Sequence, residues 1–279
     1  ANFHWAAGEQ ADAEREMKAA LQLEPASPAA NRALAAFYIT RKEPATAEPY
    51  LKELAETSAT IPPRTLLADL YVRNGKTAEA RSVLESLSKE ADGYVVGKTR
   101  LAVLEFATGN KTEAYKVVDE VLAKEPAAEQ ALESKARFLI ADGKYRDALA
   151  IADKVLASNP QSTGARFLRG AALEADSRLD EATLAFQDLL KVVPSSGAVQ
   201  MRLARLYLRQ GNNAGALDLA QNVVKTQPRS LAAHFLYGQA LLQSGNVQTA
   251  ERQFLPLSKA SPASPEIHGW LGKTYEAKG

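Results

Sequence analysis

The sequence predicts an all-α fold of helical hairpins set in a row, and three observations predict it. First, Pro126, Pro160, Pro194, Pro228 and Pro262 recur every 34 residues. Second, two columns of small residues keep step with those prolines. Ala114, Ala148, Ala182, Ala216 and Ala250 lie twelve residues before them, and Ala102, Ala136, Gly170, Ala204 and Gly238 lie twenty-four before. Third, Gly109, Gly143, Ser177, Gly211 and Gly245 stand seventeen before each proline. Ala13 and Gly8 fall on the same offsets from Pro25. A fixed period of this length marks a repeat architecture, because one short unit cannot bury its apolar face alone.

Each unit reads as two helices. In the unit from 197, Val199, Leu203, Leu206 and Tyr207 recur at helical spacing. Gly211 then supplies the left-handed backbone that ends a helix. A second helix follows over "NAGALDLAQNVVKTQ", and Pro228 closes it. The small residues let the paired helices approach closely.

A 34-residue hairpin with these columns resembles the tetratricopeptide repeat family over nearly the whole chain. Leu271, Gly272 and Tyr275 in "WLGKTYEAKG" match the family's positions seven, eight and eleven, and Tyr38, Tyr71 and Tyr207 match position eleven. The family's tryptophan at position four is replaced by Asn31, Arg64, Lys98, Leu132, Arg166, Gln200, His234 and His268. The resemblance implies one α-solenoid, a right-handed superhelix over 1–279. Its repeats are expected at 28–61, 62–94, 95–128, 129–162, 163–196, 197–230 and 231–264, with partial repeats at 1–27 and 265–279.

Two joints break the pattern; they read as drift in tolerant loops, with bends in the solenoid as the alternative. At "TSATIPPRTL" the closing proline is displaced, so Pro62 and Pro63 are expected to open the next helix. At "KEADGYVVGK" there is no closing proline. Neither end shows a cap, so Phe3 and Trp5, and Trp270 and Tyr275, are expected to lack neighbours unless the native chain continues or the ends pack on another chain.

The composition is that of an ordinary globular chain: 279 residues, 46% hydrophobic and 24% charged. With 34 basic and 33 acidic residues the net charge is +1, which gives no reason to expect nucleic acid. No apolar run is long enough to insert in a membrane. The chain begins at Ala1 without a signal peptide and reads as a segment of something longer. The absence of cysteine excludes disulfides and thiolate chemistry, and it weighs toward a periplasmic or envelope setting over a cytoplasmic one.

Nothing in the sequence points to catalysis, a metal or a cofactor. His4, His234 and His268 occur singly, and the last two share repeat position four, which favours a structural role. Glu113 and the pair Asp180–Glu181 fall in the first turns of second helices, where the helix dipole favours acids.

The resemblance implies that the first helix of each repeat lines the concave groove through positions two, five, six, nine, twelve and thirteen. In "MRLARLYLRQGN" those positions place Met201, Arg202, Arg205 and Arg209 in the groove. Arg137, Phe167, Phe235 and Gln239 occupy equivalent places in neighbouring repeats, and Glu174 is placed to neutralise one arginine. Aromatic, methionine and arginine side chains are enriched where binding energy concentrates. The lysine and asparagine clamp of co-chaperone members is missing, as is the asparagine ladder of sugar-transferring members.

The expected function is therefore a non-enzymatic protein–protein interaction scaffold, holding a peptide or acidic protein segment in the groove. Its texture resembles bacterial members that assist envelope assembly or polysaccharide export. Two other readings remain: a recognition arm excised from a larger enzyme, and a solenoid that self-associates through uncapped ends.

Overall fold

A computed structural model describes residues 9–58 and 60–279. Among them are sixteen helices and no strand. They are α1 (Gln10–Leu23), α2 (Pro28–Thr40), α3 (Pro44–Thr57), α4 (Ile61–Arg73), α5 (Thr77–Leu87), α6 (Tyr94–Ala107), α7 (Lys111–Lys124) and α8 (Glu129–Ala141). There follow α9 (Tyr145–Ser158), α10 (Thr163–Ala175), α11 (Leu179–Val192), α12 (Gly197–Arg209), α13 (Asn213–Thr226), α14 (Leu231–Gln243), α15 (Val247–Ala260) and α16 (Pro265–Lys278). The fold is an all-α solenoid. It divides into two compact units between Lys135 and Ala136. Phe3, His4, Trp5 and Gly8 lie outside the described residues.

Three-residue turns join the helices of each hairpin, and a left-handed residue sits in the middle of each turn. Gly75, Gly109, Gly143, Gly211 and Gly245 have φ of +72° to +89°. Ser177 and Lys42 adopt the same conformation at φ +62° and +61° despite their side chains. The next amide reaches back over the turn, as when Asn212 N–H donates to the Tyr207 carbonyl at 2.9 Å. This satisfies a carbonyl that the helix end leaves open.

The joints between hairpins use a different device. Ser162, Ser196, Ser230 and Ser264 each stand two residues after a closing proline, and their hydroxyls accept from the amide three residues on. Position four adds a second tie at these joints and at the one after Pro25, where Ser27 makes no side-chain cap bond. Asn31, Arg166, Gln200, His234 and His268 each donate to the carbonyl of the proline six residues earlier, at 2.7 to 3.1 Å. The carbonyl can only accept, so Nε2 carries the proton in His268, while the His234 ring is held on both sides, its Nδ1 lying 2.7 Å from Gln253 Oε1. Their role is structural, although neither ring is buried: His234 is half-buried and His268 exposed.

At the irregular joints, α4 opens at Ile61 with Pro62 and Pro63 in its first turn. Between α5 and α6 there is no closing proline, and two glycines stand at close approaches instead. A Cβ on Gly93 would stand 2.3 Å from the Leu87 carbonyl oxygen, and one on Gly97 2.8 Å from the Ser88 nitrogen. These glycines serve close approach, not a hairpin turn.

In both units the core lies along the helix crossings. Ala13, Ala47, Ala80, Ala114, Ala148, Ala182, Ala216 and Ala250 have essentially no exposed surface. Facing them in the second unit, Gly170 and Gly238 accept the rings of Phe186 and Phe254, where a Cβ would come within 2.9 and 2.7 Å of ring carbons. Interiors packed this densely tolerate little added volume. One buried charge stands out in the first unit. Glu105 occupies repeat position eleven with a 3% exposed side chain, pairs with Arg81 and accepts from Asn110 Nδ2 at 2.8 Å.

Candidate functional site

In the second unit, of the residues foreseen on α10, α12 and α14, Arg205 and Arg209 are exposed, whereas Phe167, Met201, Arg202, Phe235 and Gln239 are half-buried. Helix α12 turns Val199, Leu203, Ala204 and Leu206 into the core, each no more than 2% exposed. The spacing that buries those four residues turns Arg205 and Arg209 to solvent.

The three arginines do not behave alike. Arg202 is half-buried: its Nη1 donates to Glu174 Oε2 at 2.9 Å, and its guanidinium carbon lies 5.9 Å from the centroid of Phe167. The Glu174 side chain is 13% exposed, so this pair is held within the face. Arg205 and Arg209 are exposed and have no side-chain partner among the described residues. Glu174 thus neutralises one arginine and leaves two.

The apolar members form a half-buried floor. Phe167 meets Phe186 edge-on with centroids 5.6 Å apart, and Phe235 meets Phe254 the same way at 5.8 Å. Met201 packs against the cluster of Ala204, Leu236 and Ala240, which α12 and α14 build together. Gln239 is half-buried on α14, and Arg137 is exposed on α8. Each ring thus keeps part of its surface open while its core-facing edge is fixed.

Near the end of the chain the picture differs from expectation. Trp270 has neighbours: it stacks on Phe254 with centroids 6.3 Å apart, and Lys273 Nζ lies 4.5 Å from its centroid. Tyr275 is 46% exposed, as the missing neighbours would require. Among the described residues no group of three His, Asp or Glu side chains could hold a metal ion, and no helix is long and apolar enough to cross a membrane.

Comparison with known proteins bears on this geometry. The tetratricopeptide repeat profile matches residues 65–129, 133–198 and 201–265, well over half of the chain. The chain belongs to the tetratricopeptide repeat family. Several solved structures share the architecture of this tetratricopeptide array. A tetratricopeptide repeat protein from Parabacteroides merdae superposes with a TM-score of 0.61 at 21% identity, covering 86% of this chain and 96% of that one. PilF of Pseudomonas aeruginosa gives 0.63 at 16% identity over 75% and 96% of the two chains. Yeast Tom70 gives 0.74 at 16% identity, over 96% of this chain and 58% of its own. At these identities the likeness is one of fold. No curated protein matches by sequence. Tetratricopeptide arrays are commonly scaffolds for protein–protein interaction, and their partners are proteins or peptides.

Proposed function

We propose that this tetratricopeptide array is a non-enzymatic scaffold whose α10–α12–α14 face holds an acidic segment of a partner protein. The observation that carries the reading is the pair Arg205 and Arg209, exposed and without side-chain partners beside the floor of Phe167, Met201 and Phe235. Guanidinium groups hold carboxylates with paired, charge-assisted hydrogen bonds. The half-buried rings and the thioether supply apolar surface for the segment's own side chains. Arg202 is tied to Glu174 and orders this floor instead of meeting the ligand. Arg137 extends the basic character on α8, and Gln239 offers a neutral donor and acceptor on α14.

A bacterial envelope extract is the natural place to look for the partner. The structural likeness to a type IV pilus biogenesis factor, PilW (TM-score 0.64, 19% identity, 75% of this chain and 96% of that one), supports that choice at the level of fold. The test uses the chain as bait, beside a variant carrying Arg205→Glu and Arg209→Glu with unchanged helicity. A protein retained by the parent and lost by the variant is the expected result. Equal capture by both removes the arginines from the site and with them this reading.

A further inference from the structure

Tyr207 points away from Arg205 and Arg209, since residues two apart on a helix are about 200° apart around it. It borders a recess of about 400 Å³ with a mixed lining, Leu190, Leu203 and Leu219 beside Gln187, Lys191 and Asp218. The tyrosine is held in place on two sides. Gln187 Nε2 donates to its hydroxyl at 2.8 Å, and its ring edge rests on Gly215, where a Cβ would come within 2.9 Å of Cδ2 and Cε2. Glu79, Glu113, Asp147 and Glu181 stand at the place of Gly215 in other hairpins, so this ring lies where an acidic side chain would otherwise begin.

The molecule itself shows what fits such a recess. Tyr38 and Tyr71 share the repeat position of Tyr207. In the hairpin of Tyr38 the space is filled: Tyr50 lies on the Tyr38 ring with centroids 5.7 Å apart and planes within 10°. Tyr50 stands three residues after the crossing Ala47, and Leu219 stands three residues after the crossing Ala216. The stacking ring of the first hairpin is therefore an aliphatic side chain here. At Tyr71 the corresponding residue is Val83 and a recess of about 340 Å³ lies beside the ring, but the Lys76 ammonium lies 5.7 Å from the ring centroid. Asn212, which matches Lys76 in the repeat, instead accepts from the Gly215 amide. Tyr207 has neither a stacked ring nor an ammonium over its face, and Lys191, which borders the recess, is paired with Asp188 at 2.8 Å.

We propose that this recess docks an aromatic side chain presented by a partner protein, stacked on Tyr207 as Tyr50 is stacked on Tyr38. Stacked rings are favoured beyond simple burial, and a ring already fixed by Gln187 and Gly215 loses little freedom on docking. The site is independent of the arginine face, so Arg205→Glu and Arg209→Glu leave it unchanged.

The test is an NMR titration of the chain with millimolar N-acetyl-tryptophanamide, using N-acetyl-leucinamide as the aliphatic control. Saturable shifts at Tyr207, Gly215 and Leu219 with the tryptophan probe are expected, at least several-fold weaker with the leucine probe. Leu219→Tyr refills the recess from within and is expected to abolish them. Tyr207→Leu is the second variant, since Leu173 and Leu241 show that leucine is accommodated at this position. It removes the stacking ring and is expected to weaken binding to the level of the leucine probe. No saturable shift in the parent, equal response to both probes, or unchanged binding in either folded variant would overturn the assignment.

Discussion

Arg202 Nη1 lies 2.9 Å from Glu174 Oε2 while its guanidinium covers the ring of Phe167, so one side chain ties α12 to two places on α10. The Arg202 side chain is 40% exposed, so solvent screening limits the strength of the pair. Arg202→Ala is expected to lower the unfolding free energy by about 1 kcal/mol, combining ion pair and ring contact. Arg205→Ala and Arg209→Ala are expected to stay within about 0.5 kcal/mol of the parent. Urea unfolding of the three variants checks the contrast, and equal losses would mean that the arginines share one role.

Gly238 and Gly272 occupy the same repeat position but meet different surroundings. A Cβ on Gly238 would stand 2.7 Å from Phe254 Cζ, whereas one on Gly272 would find nothing within 4 Å. Alanine is the better helix former by about 1 kcal/mol, but overpacking a core costs about 1–3 kcal/mol. Gly238→Ala is thus expected to be destabilised by about 1 kcal/mol, and Gly272→Ala stabilised by up to about 1 kcal/mol. Shrinking the ring with Phe254→Leu in the Gly238→Ala background separates the clash from any other cause, because the two substitutions then fail to add.

Ser177 holds φ +62° where five other hairpins have glycine. A side chain in the left-handed region costs about 1–2 kcal/mol, and glycine returns part of this through its freer unfolded state. Ser177→Gly is expected to raise stability by about 0.5–1 kcal/mol, and Gly211→Ala to lower it by about 1 kcal/mol. Thermal unfolding of the two variants should move in opposite directions.

Glu105 sits where Leu139, Leu173 and Leu241 stand in other repeats. Removing one partner of a buried pair costs about 3–5 kcal/mol, while a hydrophobic residue of similar volume is often neutral. The Arg81 side chain is 34% exposed, so losing Glu105 leaves a charge that water can partly reach. Glu105→Ala is expected to cost about 2–3 kcal/mol and Glu105→Leu less than about 1 kcal/mol. If the leucine variant is as unstable as the alanine variant, the Asn110 contact matters more than packing.

Glu14 links α1 to α2. Its carboxylate accepts hydrogen bonds from Lys18 and from the Tyr38 hydroxyl at 2.7 Å, and these two bonds hold its pKa below the ordinary glutamate value. A depressed carboxyl pKa means the unfolded chain binds the proton more tightly. The stabilisation is therefore full above the unfolded pKa and disappears as pH falls through the folded one. Glu14→Gln is expected to flatten the loss of stability below about pH 4.3. Melting temperatures of parent and variant between pH 3 and 7 measure the difference.

Much of the fold was legible because its rules are local. Pro160, Ala182 and Gly211 act through their own backbone or their own lack of bulk, so their spacing alone outlines a hairpin. The same holds for Ser162, Ser196, Ser230 and Ser264, whose regular place after the prolines is a capping signal that spacing reveals once it is looked for. Gly93 and Gly97 were not legible as close-approach residues, because what they approach is decided by how α5 meets α6.

By itself, then, the sequence determined the helices, their turns and the side on which each places its apolar residues, all within one turn of the chain. Tertiary structure decided what long side chains do once they reach another helix. It tied Arg202 to Glu174, 28 residues away, and left Arg205 and Arg209 exposed. It set His234 Nδ1 2.7 Å from Gln253 Oε1 on the following helix. It gave Tyr38 a ring to stack on and left Tyr207 beside an open recess. The physical reason is reach: periodicity specifies direction around a helix, whereas a partner depends on which atoms the neighbouring helix brings within 3 to 6 Å.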